Sequence, residues 1–359
     1  MDTTNQSYYR AILAAYPLPS ILRIEERDSG MNNTTRYAVL EDGQVQVLRV
    51  YENHRSGLKL AAEHELLLLL ARQALPFQIP CPLHTKQGGT WTTAPDGKLA
   101  AVFAYLPGAK PAAGRHDLSY AYGRAVGELT LAMEELQPAA DPAYPPYDEL
   151  LGPDTVKAAL SARRLYNTDP ALSALAGDAG FLLDILDSLS GQADSIRRLE
   201  RQWIHGDFSH SNVLVEGGEI RAVLDFEFAT RDLRAMELAV CLAEQLSAPG
   251  GLSRAVAKEM LAGYRSVRTL VAEELERLPS CFSSASWTSS CTSCTAIRPD
   301  SIRLKSCKTR RENPRPYAVL SARMPIGSAA CDRKYEKRNL RTSLAIRRFL
   351  FCYSTFFPG

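Results

Sequence analysis

The sequence predicts an α+β fold of two unequal lobes. Residues 1–106 form a small β-rich lobe, residues 107–279 a larger and mainly helical one, and residues 280–359 an atypical tail. Three observations carry this. Strand-like runs pair around short turns between Ile21 and Tyr105. From Gly108 onward, apolar residues recur at three- and four-residue steps instead. Beyond Pro279 the composition changes: residues 280–359 hold 15 Lys plus Arg against 4 Asp plus Glu, and six of the eight cysteines.

In the first lobe, "RYAVLEDGQVQVLRVY" reads as strands from Tyr37 to Leu40 and from Val45 to Tyr51, joined by the turn residues Asp42 and Gly43. "LKLAAEHELLLLLARQ" contains neither Gly nor Pro and predicts a helix, which the "PFQIPCP" run ends. "TWTTAPDGKLAAVFAYL" predicts a second hairpin about Pro95, Asp96 and Gly97. In the second lobe, Leu118, Tyr122, Val126, Leu129, Met133 and Leu136 share one helical face. "FLLDILDSL" predicts another helix, and "NVLVEGGEIRAVLDF" a hairpin that turns at Gly217 and Gly218.

The tail opens "SCFSSASWTSSCTSCTAIRPD", which does not read as a continuation of the preceding helix. A divergent or frame-slipped extension is expected, much of it disordered. Cys291 and Cys294 form a C-x-x-C with no second pair, so a zinc site is not expected. The basic charge lacks interleaved aromatics, and nucleic acid is not expected as a partner.

With 45% apolar and 23% charged residues, the composition is that of a globular protein. No apolar run approaches the ~20 residues that span a bilayer, and residues 1–20 lack the blocks of a secretory signal. No membrane partner is expected, and the cytoplasm is the expected location. Residues 1–279 hold 36 acidic against 27 basic side chains, a balance that attracts cationic small molecules.

The chemistry is concentrated in "WIHGDFSHSNVL", residues 203–214. Moving a phosphoryl group from ATP to an alcohol needs a placed hydroxyl, neutralised charge and metal ions held by oxygen. Asp207 and Asn212 lie five residues apart in one loop, and the hairpin from Val213 to Phe226 can return Asp225 beside them. An aspartate near serines most often caps a turn, and Asn212 could merely cap the hairpin. The three together supply what the transfer needs: Asp207 as the carboxylate that meets the hydroxyl, with Asn212 and Asp225 as oxygen ligands for Mg2+.

The H-x-D-x-x-x-x-N of His205, Asp207 and Asn212, followed thirteen residues later by "DFEFA", resembles the aminoglycoside phosphotransferase and choline kinase superfamily, whose fold is protein-kinase-like. "DFEFATRDLRAMELAVCL" is most similar to the homoserine-kinase type. The resemblance implies ATP and Mg2+ between the lobes and a small alcohol or amino alcohol as acceptor. Homoserine is the first such acceptor, with choline, ethanolamine or an aminoglycoside as alternatives. A catalytically impaired nucleotide-binding relative is a further alternative, because the likeness stops at Ser280. "SGMNNTTRYAV" resembles the phosphate-covering hairpin, which implies nucleotide contacts for Gly30 and Asn33. Arg49 stands where a strand lysine would meet the phosphates, with Glu63, or alternatively Glu65, as its helix partner. Tyr105 in "FAYLPG" flanks the adenine by the same resemblance. Glu227 and Asp232 are possible substrate contacts, each with a bland alternative as surface charge or loop cap. His205 is read as a brace of its loop.

Overall fold

The computed structural model describes residues 3–27, 33–52, 56–147, 184, 185 and 187–293. A helix, α1 (Thr3–Leu13), precedes a five-stranded antiparallel sheet in the order β1-β2-β3-β5-β4. Its strands are β1 (Ile21–Glu25), β2 (Asn33–Leu40), β3 (Val45–Tyr51), β4 (Thr92–Thr93) and β5 (Leu99–Ala104), and α2 (Gly57–Leu70) lies between β3 and β4. Both hairpins close where the turn residues stand, with Gly43 at φ 82° and Gly97 at φ 84°.

Strand alternation divides this lobe into two cores. Leu48, Val50, Ala100 and Val102 face α1, which covers them with Tyr9, Ile12 and Leu13. Tyr51, Ala101 and Phe103 face α2 and join a core that continues through the second lobe. Helix α1 is not among the elements expected from the sequence, although positions 9, 12, 13 and 16 carry a helical stripe.

The second lobe comprises α3 (Ser119–Met133), the short α4 (Ala193–Arg197), β6 (Arg201–Ile204), β7 (Val213–Glu216), β8 (Glu219–Val223), β9 (Thr230–Leu233), α5 (Arg234–Ser247), α6 (Arg254–Arg265) and α7 (Ala272–Ser293). The six residues assigned to one face of α3 and its C-terminal extension, Leu118 to Leu136, are all buried. Residues 184, 185 and 187–189 of "FLLDILDSL" are helical. Strands β7 and β8 pair about Gly217 (φ 59°) and Gly218 (φ 86°), and β6 pairs with β9, a ladder the sequence did not disclose. Among the described residues no helix is long and apolar enough to cross a membrane.

The boundary expected at 279 is corrected: α7 runs through Pro279 and Ser280 to Ser293. Leu278, Cys281, Phe282 and Ala285 are each at most 2% exposed and form an i, i+3, i+4, i+7 stripe within the serine-rich segment. An interior proline costs a helix about 3 kcal/mol, whereas each fully buried apolar side chain returns roughly 1.5–3 kcal/mol. The stripe therefore carries the helix past the break. Arg234 of α5 fastens it with a buried ion pair to Glu274 at 2.8 Å. The remaining tail, with Cys294, lies outside the described residues.

Candidate active site

The site is built from two loops whose ends are tied together. One follows β6, and the other joins β8 to β9. The pairing of Ile204 with Thr230 sets the start of the first loop beside the end of the second, and the Leu224 N–H, at the start of the second, donates to the Asn212 carbonyl at 2.7 Å. Asp207, Asn212 and Asp225 consequently come to one place. The Asn212 amide nitrogen donates to the Asp207 carboxylate at 2.8 Å and to its carbonyl at 3.0 Å. That leaves the Asn212 amide oxygen as its remaining acceptor. Asp225 is the one non-glycine with positive φ among the described residues (φ 65°, ψ 68°), a conformation disfavoured for an L side chain.

His205 occupies the centre of this arrangement and is fully buried. Its Nε2 lies 2.8 Å from the Leu224 carbonyl, and its Nδ1 accepts the Asp207 N–H at 3.1 Å. The proton therefore resides on Nε2. Burial lowers the ring's pKa, in keeping with that neutral tautomer. Gly206 has φ 74°, and a side chain there would stand 2.9 Å from the Phe228 carbonyl. Below the loop, Glu237 of α5 accepts the His205 and Gly206 N–H groups.

From the first lobe, Arg49 reaches Asp225 at 3.1 Å and Glu63 at 3.4 Å, both through Nη1. Tyr51 donates to the other Glu63 oxygen at 3.3 Å. Glu63, not Glu65, is thus the partner of Arg49. Glu65 points elsewhere and accepts the N–H groups of Ala139 and Ala140. Asn33 crosses between the lobes to donate to Glu227 at 2.8 Å, and both are buried. Tyr105 meets Tyr37 edge to face at 6.1 Å between centroids, and the Arg27 guanidinium lies 4.6 Å from the Tyr37 ring and 5.6 Å from that of Tyr105.

The electrostatics are those of carboxylates withdrawn from water. Burial, reinforced by Glu244 and Asp225, pushes Asp207 up to about 8. Burial also raises Glu63 to about 7 against the pull of Arg49, and raises Glu237 to about 7 against its two N–H donors. Burial opposes the Arg49 charge, but Asp225, Tyr51 and Glu63 more than offset it, so the guanidinium stays protonated.

One expectation is corrected: Asp232 is not presented to a substrate. It is fully buried, accepting the Tyr147 N–H at 2.5 Å on one oxygen and the Leu233 N–H at 2.6 Å on the other. Gly30 lies outside the described residues. Glu237 and Glu244 were not singled out in the sequence. The usable signal was an acid at 237 within an otherwise apolar stretch of helix, "MELAVCL".

Residues 23–275 match the APH phosphotransferase enzyme family. A homoserine kinase from Gluconacetobacter diazotrophicus is 28% identical over 271 residues, covering 75% of this chain and 80% of its own. One from Caulobacter vibrioides is 30% identical over 285 residues, covering 77% and 83%. Among solved structures, an aminoglycoside phosphotransferase from Alicyclobacillus acidocaldarius superposes with a TM-score of 0.67 at 13% identity, over 96% of this chain and 95% of that one. An amicoumacin kinase in complex with AMP-PNP and Ca2+ superposes with a TM-score of 0.65 at 16% identity, over 95% and 93%. With the family match spanning both lobes and the catalytic loop, the chain belongs to the APH phosphotransferase family and is a small-molecule kinase of protein-kinase-like, α+β fold.

Proposed function

We propose that this kinase transfers the γ-phosphoryl of ATP to the hydroxyl of a small amino alcohol, with homoserine as the first candidate. The observation that carries this reading is the convergence of Asp207, Asn212 and Asp225, with Arg49 of the first lobe on Asp225. Asp207 orients the acceptor hydroxyl and takes its proton. Asn212 holds that carboxylate in place through its amide nitrogen and keeps its amide oxygen as an acceptor for the ion. Arg49 meets the phosphates, with Glu63 fixing its position, and Tyr105 with Tyr37 borders the base.

The donor set fits Mg2+. An amide oxygen and a carboxylate are hard ligands, and a magnesium site of this kind is completed by phosphates and water. When bound, the ion neutralises charge on the transferring phosphate. Asn212 and Asp225 are the residues that would hold it.

The homoserine assignment rests on the relatives' names. A second reading, a kinase for choline, ethanolamine or an aminoglycoside, is favoured by Glu244, whose charge adds to that surrounding Asp207. The full chain with ATP and Mg2+ should be presented with L-homoserine, choline, ethanolamine, aminopropanol and aminoglycosides, and the products identified by phosphorus NMR. A phosphomonoester of homoserine supports the first reading, and one of another amino alcohol the second. Nucleotide binding without transfer to any acceptor would leave a binding protein and sink both.

A further inference from the structure

After α3 the chain carries Pro138, Pro142, Pro145 and Pro146, and residues 138–146 form neither helix nor strand. Proline fixes φ and removes a backbone donor, which makes such a segment stiff and unable to join a sheet ladder. Its polar contacts run in two directions. Toward the first lobe, Glu65 of α2 accepts the Ala139 N–H on one oxygen at 2.8 Å and the Ala140 N–H on the other at 3.0 Å. The Lys59 ammonium, also on α2, lies 4.6 Å from the centroid of the Tyr144 ring. Toward the second lobe, Thr230 of β9 donates to the Tyr144 carbonyl at 2.6 Å, and the Tyr144 ring sits 4.8 Å from that of Phe228 in the β8–β9 loop. The Tyr147 N–H is held by Asp232, and its hydroxyl donates to the Gly206 carbonyl at 2.8 Å.

We propose that residues 138–147 form an interlobe strap, with Glu65 and Tyr147 as its positioning residues. Glu65 holds α2 so that Glu63 stays on Arg49, and Tyr147 holds the Gly206 peptide so that Asp207 stays aimed at the acceptor. The second half rests on the role given to Asp207 above. Glu65 stands two residues from Glu63, and Gly206 immediately precedes Asp207, so each anchor acts through one neighbour. The strap also gives the buried Asp232 a task, which is to hold Tyr147. Through this path the helix that orients Arg49 and the loop that carries Asp207 are coupled within the chain, without another domain or a modification.

The test uses full-length Glu65→Ala, Glu65→Gln, Tyr147→Phe and the double variant Glu65→Ala with Tyr147→Phe. Hydrogen exchange is followed in α2 and in residues 205–208, and kcat and KM are measured with the acceptor the wild type uses. Tyr147→Phe should lower kcat about tenfold with KM for ATP within about twofold, as a small misalignment of the base would do. Glu65→Ala should speed exchange in α2 by about tenfold, and Glu65→Gln, which keeps one acceptor oxygen, should recover part of it. The double variant should lose less than the product of the single losses. Wild-type exchange in α2 of Glu65→Ala, an unchanged kcat in Tyr147→Phe, or strictly multiplicative losses would overturn the strap. If the wild type phosphorylates no acceptor, the phosphotransfer reading fails, and exchange in α2 and residues 205–208 decides the strap by itself.

Discussion

At the scale of single residues, the site depends on carboxylates removed from water and held by specific donors. Replacing Asp207 with Asn keeps an oxygen for the Asn212 amide but removes the carboxylate proposed as the base, and general-base catalysis contributes about 10²–10⁴-fold. Steady-state kinetics of Asp207→Asn should show a fall in kcat of that size with nucleotide affinity nearly intact. Arg49 makes both of its carboxylate contacts through one nitrogen, so the fork that distinguishes arginine from lysine is not used by these partners. Arg49→Lys should therefore bind ATP within a few-fold of wild type, whereas Arg49→Met should lose about tenfold or more by calorimetry. Glu237, raised by burial to about 7, holds its proton more tightly folded than unfolded. The folded state then binds the extra proton between about 4.5 and 7, and stability falls as pH rises through that window. Glu237→Gln removes this dependence. Urea unfolding of both proteins at pH 5 and pH 8 should show the variant gaining on wild type at the higher pH by a few kcal/mol, because each tenfold difference in proton affinity between the two states is worth about 1.4 kcal/mol. A pH-independent difference would show that Glu237 stays ionised throughout.

At the scale of elements, helix faces and hairpins were legible because they are written in adjacent residues. The turn glycines at 43, 97, 217 and 218 and the apolar face from Leu118 to Leu136 all stand where the chain's own periodicity put them. Helix α1 was legible in principle, while the ladder of β6 and β9 was not, since four-residue strands 25 residues apart leave no periodic trace. The crossing of α3 and α6 is another feature without local signature. A side chain at Gly123 would meet the Met260 carbonyl, and one at Gly263 the Tyr120 carbonyl, both well inside van der Waals contact. Gly→Ala within a helix ordinarily gains about 1 kcal/mol. Gly123→Ala should instead destabilise by about 1–3 kcal/mol as the two backbones are forced apart. Denaturant unfolding measures this, with the helical Gly191→Ala, which meets nothing within 4 Å, as the control that should not lose stability.

At the scale of the whole molecule, α7 completes the second lobe with residues whose composition suggested a break. Cys281 and Phe282 are buried in the same core as Ile204 and Phe208 of the catalytic segment. Phe282→Ala should cost about 3–5 kcal/mol by thermal or denaturant unfolding. A chain ended at residue 279 should lose more than that relative to one ended at 293. Equal stability of the 279 and 293 chains would show that the segment after Pro279 contributes nothing to the fold.

By itself the sequence determined the two-lobed class, the separations of Asp207, Asn212 and Asp225, and the family those separations identify, because spacing and periodicity are properties of neighbouring residues. The tertiary structure alone decided that Glu63 rather than Glu65 meets Arg49, that Asp232 is sealed away from any substrate, that Asn33 closes onto Glu227, and that helix continues beyond Pro279. Each of these outcomes turns on burial energy and on partners between 14 and 194 positions away, or on a core that outweighs a local helix breaker, and no short stretch of chain encodes either.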